Sequence, residues 1–220
     1  MIRRLWLVAL VAFAAGLTGR VEAQTPAPAQ APNPTQARTP TQAPAQPAPK
    51  PQTRPSGQRV PVDSSKILVD DGDTVSIAWG QDDVENVRIL GIDTPETRHL
   101  EHNLPYPQDF GPEARGFALG AFATATEVQL LRARTVDPFG RTLGYLFLNG
   151  RNYSVMVVKA RLAAESVTHY GDNGFPKEAA EVLAAAQAAG PVPFEPPFQF
   201  RARMRDVTGW MKQQGAPAEK

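Results

Sequence analysis

Apolar positions between residues 66 and 190 follow two rhythms, interrupted by turn sequences. Residues 66–69 and 74–79 are short β-rich runs separated by Asp70-Asp71-Gly72-Asp73, and aspartate with glycine between two such runs predicts a tight turn. Residues 84–90 alternate, with Val87 and Ile89 on one face and Gly91 beyond them, the signature of a third strand. Residues 128–131 and 142–148 predict two more, and Asn149-Gly150 marks the turn after the last. The helical rhythm appears three times. Pro112 opens a stretch with Ala114, Phe117, Ala118, Ala121 and Phe122 at helical spacing, as expected of a proline in a first turn. Residues 154–161 predict a helix despite three valines, because Met156, Val157 and Ala160 share a face. Residues 176–189 carry the clearest signals: proline at the start, Glu178 and Glu181 in the first turns, Gly190 at the end and Pro191 beyond.

Five strands, with one helix before the fourth and two after the fifth, predict an α+β domain over residues 61–190. The arrangement resembles a five-stranded OB-fold β-barrel with about three helices. Outside it the pattern changes. Residues 1–23 read as a signal peptide, with Arg3 and Arg4 before an apolar run over residues 5–17 and small residues at Val21 and Ala23. As a helix that run spans roughly 20 Å, short of a bilayer's hydrocarbon core of roughly 30 Å, so cleavage is expected rather than stable membrane insertion. Residues 24–60 contain ten prolines and no acidic residue. They read as a disordered tether, a spacer more than a wall-spanning stalk, because so few apolar side chains cannot offset ordering entropy. Residues 191–220 are a C-terminal extension whose arginines, at positions 201, 203 and 205, read as solvated tail charge.

Net charge changes the picture only when divided by region. The whole chain carries +1. Residues 1–60 hold seven Lys/Arg and one acidic residue, while residues 61–190 hold eleven against eighteen, a balance of −7. Proteins that bind long nucleic acids usually present a basic surface, so an acidic domain needs bound cations to accept one. There is no cysteine, which excludes disulfides, thiolate metal sites and cysteine nucleophiles. His99, His102 and His169 could suggest a transition-metal site, but their spacing reads as incidental.

The candidate chemistry sits at the predicted strand ends. Asp73 follows a glycine turn and Asp93 follows a strand, so both carboxylates can converge as the hard oxygen ligands that calcium takes. Arg88 lies on the strand leading to Asp93, and Arg141 opens the strand at residues 142–148. Two arginines beside a metal could clamp a phosphate and neutralise charge in displacement at phosphorus. Glu96, three residues past Asp93, could orient or deprotonate an attacking water. Each piece also has a plainer reading: Asp-Gly-Asp-Thr as a capped turn, Asp-Thr-Pro-Glu as a helix or loop opening, Asp137 and Arg141 as an ion pair across a turn.

Taken in order, these segments resemble the staphylococcal-nuclease-like, or thermonuclease, domain. The resemblance runs from about Ser65 to Gly190. It is carried by Asp71-Gly72-Asp73-Thr74, by Arg88 with Asp93-Thr94-Pro95-Glu96-Thr97, by Gly111-Pro112-Glu113-Ala114, and by Asp137 with Gly140-Arg141. It continues through Tyr145 and Asn149-Gly150 to Leu162-Ala163. The resemblance implies calcium-dependent hydrolysis of DNA and RNA with 3′-phosphate ends. It implies Asp73, Asp93 and the carbonyl of Thr94 as metal ligands, with Asp71 behind them. Arg88 and Arg141 become the phosphate clamps, and Glu96 the general base.

The chain departs from that family where a nucleotide would be held. Pro138 and Phe139 stand where lysine and tyrosine are usual, and Val167 and His169 where two tyrosines pack on the nucleotide, with Tyr170 one place away. The loop over residues 98–110 is longer than in the bacterial prototype. The expectation is therefore an exported monomeric nuclease, periplasmic or extracellular, acting on DNA or RNA with Ca2+. The alternative is an inactive OB-fold module that binds nucleic acid or protein in the cell envelope.

Overall fold

The structure, a computed structural model, describes residues 50–215. The signal-peptide reading and the tether up to residue 49 lie outside the described residues. Ten strands form: β1 (Lys50–Pro51), β2 (Arg59–Val62), β3 (Ile67–Val69), β4 (Thr74–Ala78), β5 (Val84–Ile89), β6 (Ile92–Asp93), β7 (Val128–Val136), β8 (Thr142–Leu148), β9 (Arg151–Asn152) and β10 (Ala164–Glu165). Five α-helices accompany them: α1 (Gly111–Ala123), α2 (Tyr153–Lys159), α3 (Val167–Tyr170), α4 (Pro176–Ala189) and α5 (Pro197–Gln213). The five strands and three helices expected from periodicity are all present, as β3, β4, β5, β7 and β8 and as α1, α2 and α4.

The main sheet runs β1-β7-β8-β5-β4-β3, with β2 on β7 and β9 on β8; β10 pairs with β6 separately. All pairings are antiparallel except β5 with β8. Here the expectation of a closed five-stranded barrel needs correction: among the described residues β3 ends the ladder at one side and is not joined to β7. The physical reason lies upstream. β2 takes the edge of β7 from Val128 to Leu131, and β1 takes its far end at Thr135 and Val136. Residues 50–60, read as the end of a disordered tether, are thus partly in the sheet. Their backbone donors and acceptors find partners there, with Gln52 N donating to Arg134 O at 2.8 Å and Gly57 N to Arg132 O at 2.9 Å. Composition could not reveal this, because a free strand edge satisfies any backbone regardless of its side chains.

The core lies between the sheet and the helices α1, α2 and α4. Val75, Ile77, Val87, Ile89, Leu130, Leu146, Tyr153 and Val157 are buried in it. A second, separate apolar cluster joins Leu104 to Phe200 and Met204 of α5, with Val207 beside them. Helix α5 therefore docks on the loop between β6 and α1 rather than on the main core. Each such side chain contributes about 1.5–3 kcal/mol when fully buried, so this attachment is modest beside the central core.

One polar group sits where the alternation of β5 would place an apolar side chain. Glu85 is 4% exposed. Its carboxylate accepts from Arg132 Nε and Nη2, both at 2.8 Å, from Thr142 Oγ1 at 2.6 Å and from Trp79 Nε1 at 2.7 Å. Burial alone would raise its pKa, but the hydrogen bonds from Arg132, Thr142 and Trp79 outweigh it and hold Glu85 below the usual carboxylate value. The contribution is therefore complete above the unfolded-state pKa and is lost as pH falls through the lowered folded value. Glu85→Gln leaves the Arg132 charge buried without its counter-ion and should lower stability by about 3–5 kcal/mol at neutral pH. Urea denaturation of the two proteins, repeated toward acid pH, should show the gap narrowing as the native carboxylate becomes protonated.

Candidate active site

The strand register brings Asp73 and Arg88 together. Thr74 lies opposite Arg88 in the β4–β5 pair, and Ile89 N donates to Asp73 O at 2.8 Å. The β5 chain then passes Gly91 and reaches Asp93 at the end of β6, which β10 pins through Ala164. Arg88 spans both carboxylates: Nη1 lies 2.6 Å from Asp73 Oδ1, and Nη2 donates to Asp93 Oδ1 at 3.1 Å. The second oxygen of Asp73 accepts from Thr94 N at 2.7 Å. Asp73, Asp93 and Thr94 are all buried, while Arg88 and Glu96 are partly so.

Helix α2 secures this arrangement from beneath. Asn152 caps it, accepting from Ser154 N at 3.0 Å. The next two side chains reach into the strand ends that carry the carboxylates. Tyr153 Oη donates to Gly72 O at 2.7 Å, and Ser154 Oγ donates to Leu90 O at 2.7 Å. Close backbone approach does the rest. A Cβ at Gly72 would lie 2.8–2.9 Å from the Thr94 side chain, and one at Gly111 would lie 2.1 Å from the Glu96 carbonyl oxygen. The glycines of two motifs therefore let Thr94 and Glu96 sit where they do. Gln108 completes the seat of Glu96: its N donates to Glu96 O at 2.9 Å and its Oε1 accepts from Glu96 N at 3.3 Å.

Glu96 does not stand alone. Arg201, from α5, hydrogen-bonds its carboxylate, and also donates to both oxygens of Asp93, Nη1 to Oδ1 and Nη2 to Oδ2, each at 3.0 Å. The expectation that this arginine is solvated tail charge is corrected. Its sequence signal was present: Pro197 at a helix start, then Phe200, Met204 and Val207 at helical spacing, which fixes where Arg201 points. Arg203 remains exposed and pairs with Glu195.

Arg141 is held differently. Its Nε donates to Asp137 Oδ2 at 2.7 Å and its N to Asp137 Oδ1 at 2.8 Å, so the turn before β8 is closed by this pair. Among the described residues its Nη atoms make no hydrogen bond, and Phe139 lies against the guanidinium at 5.7 Å. Phe139 itself is 86% exposed. Tyr170 is exposed too, and His169 stacks parallel to Phe198 of α5 at 6.4 Å.

Four carboxyl groups, of Asp71, Asp73, Asp93 and Glu96, thus face two guanidiniums, of Arg88 and Arg201. Burial, and then the charge of Asp73, raise the pKa of Asp71 well above its ordinary value and shift that of Glu96 upward too. Burial opposes the charge on Arg88, but Asp73 and Asp93 more than offset it and its pKa rises. The site is short of positive charge and its donors are hard oxygens, which is the environment a divalent oxygen-seeking cation fits. The histidines give a second grouping: ligand atoms of His99, Glu101 and His102, and of Asp70, Asp71 and His99, lie within 4.8 Å of one another. His99 already bonds Thr97 Oγ1 through Nε2 at 2.7 Å and Glu101 through Nδ1 at 3.3 Å.

Gly111→Ala should push the Glu96 carbonyl away and cost about 1–3 kcal/mol, the usual penalty of overpacking. Thermal denaturation reads the loss. An unchanged melting temperature would mean the chain relaxes there at no cost.

Residues 86–190 match the family model described as staphylococcal nuclease homologue. The chain is 40% identical over 95 residues to a thermonuclease of Staphylococcus intermedius, covering 42% of this chain and 53% of that protein. It is 36% identical over 98 residues to a thermonuclease of Staphylococcus hyicus, covering 44% and 55% respectively. The chain thus spans about half the length of the curated relatives it matches. Helix α5 and Arg201 lie beyond the matched span.

Proposed function

We propose, from the match of residues 86–190 to the staphylococcal nuclease homologue family and the likeness to thermonucleases, that this chain is a calcium-dependent nuclease of that type, hydrolysing phosphodiester bonds of DNA, RNA or both to leave 3′-phosphate ends. The observation that carries the reading is the meeting of Asp73, Asp93, Arg88 and Glu96 in one partly buried cluster. Relatives named thermonuclease support the reaction class. Among the described residues no helix is long and apolar enough to cross a membrane. The apolar run at residues 5–17 supports export, to the periplasm or the medium, and the exported protein is proposed to act as a monomer.

Asp73 and Asp93 would hold the ion, with the Thr94 carbonyl as the third protein ligand. Calcium bound there supplies Lewis-acid polarisation of a phosphoryl oxygen and a lowered pKa for water. Glu96 accepts the proton of the attacking water, whose oxygen bonds to phosphorus as the bond to the 5′ oxygen breaks and that oxygen takes up a proton. Arg88 and Arg141 present forked donors to the phosphoryl oxygens, where negative charge grows in the five-coordinate transition state. The free Nη atoms of Arg141 are consistent with that role. Arginine suits it better than lysine because the planar fork follows two oxygens at once.

The acidic balance of residues 61–190 and the replacement of the nucleotide-holding residues by Phe139, Val167 and His169 argue for weak, salt-sensitive substrate binding. The alternative reading is an OB-fold module that binds nucleic acid or protein without hydrolysis. The hold of Arg201 on Asp93 and Glu96 favours it.

One assay separates them. The purified chain with millimolar calcium should digest single-stranded DNA, and a chelator should stop it; no digestion by folded protein would leave only the binding module. Arg88→Ala should reduce turnover about 10²–10³-fold, and Glu96→Ala about 10²–10⁴-fold. Circular dichroism should show both variants folded, and wild-type rates in either would remove that residue from the mechanism.

A further inference from the structure

Asp93 takes three guanidinium hydrogen bonds, more than any other carboxylate of the cluster. Its Oδ1 accepts from Arg88 Nη2 at 3.1 Å and from Arg201 Nη1 at 3.0 Å, and its Oδ2 accepts from Arg201 Nη2 at 3.0 Å. A carboxylate oxygen offers two lone-pair sites, so Oδ1 is filled. The same Arg201 Nη1 also holds Glu96 Oε1. A metal ion therefore finds no free lone pair on Oδ1 and only one on Oδ2 while the guanidinium fork is in place, and two cations at this spacing repel.

We propose that Arg201 is an internal competitor for the metal, a helix-borne cation that occupies the Asp93 and Glu96 carboxylates until a divalent ion displaces it, so that α5 sets the metal affinity of the site. The inference rests on the reading of Asp93 as a calcium ligand. The way α5 is attached supports it. The helix is fastened to the loop between β6 and α1 through Leu104, Phe200 and Met204, outside the main core. Its polar ties go to the same loop: Thr208 Oγ1 donates to Asn103 O at 3.1 Å and Lys212 Nζ to Asn103 Oδ1 at 3.2 Å, while just before the helix Glu195 O accepts from Gln108 Nε2 at 2.7 Å. Release of Arg201 therefore leaves the strands that carry Asp73, Arg88 and Asp93 undisturbed. Gln108 also accepts from Glu96 N, so Glu96 and the segment leading into α5 share one anchoring side chain.

Calcium chloride titrated calorimetrically into the full chain tests this without reference to turnover. If Arg201 occupies the carboxylates in about nine molecules of ten, the apparent affinity is lowered about tenfold, and Arg201→Gln should regain that factor. Arg201→Lys keeps the charge without the fork and should fall between the two. Arg203→Gln removes an equal charge from α5 with the exposed Glu195 pairing and the guanidinium's contact over Phe200 at 5.1 Å, but touches neither Asp93 nor Glu96, and should match the wild type. Equal calcium affinity in wild type and Arg201→Gln would overturn the competitor while leaving the metal site standing. An Arg203→Gln gain as large as that of Arg201→Gln would overturn it in favour of general charge. No calcium binding by any folded variant would overturn the metal reading itself, and the competitor with it.

Discussion

Negative charge gathered at the ends of β4, β5 and β6 is the constraint around which the remainder of this domain is arranged. Asp73 and Asp93 are 5% and 6% exposed, with Asp71 and Glu96 next to them. Carboxylates removed from water repel one another strongly unless cations or hydrogen-bond donors compensate. Arg88 provides part of that compensation by bridging Asp73 and Asp93, and Arg201 adds a second bridge between Asp93 and Glu96. What the guanidiniums leave unbalanced is the electrostatic case for a divalent cation.

The scaffold holds these charges where they would otherwise spread apart. The β4–β5 register sets Arg88 against the turn that carries Asp73. Tyr153 and Ser154, at the start of α2, grip the carbonyls of Gly72 and Leu90. Gly72 and Gly111 permit backbone contacts too close for any side chain. The buried face of the sheet carries its own charged group, Glu85, held by Arg132, Thr142 and Trp79. Two ionic networks on β5, Glu85 toward the core and Arg88 toward the site, thus share a strand whose other inward residues are Val87 and Ile89.

Much of the fold was legible along the chain because its signals are local. The strand runs alternate with period two, α4 is bracketed by Pro176 and Gly190, and the Asp-Gly-Asp turn announces itself. Strands β1 and β2 escaped notice because Pro51 and Pro55 make the segment up to residue 60 look like tether, while pairing to β7 uses backbone alone. Glu85 escaped for a related reason: a glutamate in a strand reads as solvent-facing until its partners, 47 and 57 residues away, are known. Helix α5 had a helical pattern, but a net-basic tail suggested solvent.

The sequence by itself determined which chemistry-bearing residues exist and which lie at strand ends, since turn chemistry and periodicity act over a few residues. It therefore offered Asp73, Arg88, Asp93, Glu96 and Arg141 as candidates, and the family resemblance added the carbonyl of Thr94. Only the tertiary structure decided their company. It tied Arg88 to both aspartates, paired Arg141 with Asp137, and brought Arg201 from 105 residues downstream onto Glu96. Electrostatic pairing depends on distance in space, and chain separation of that length carries no local trace of it.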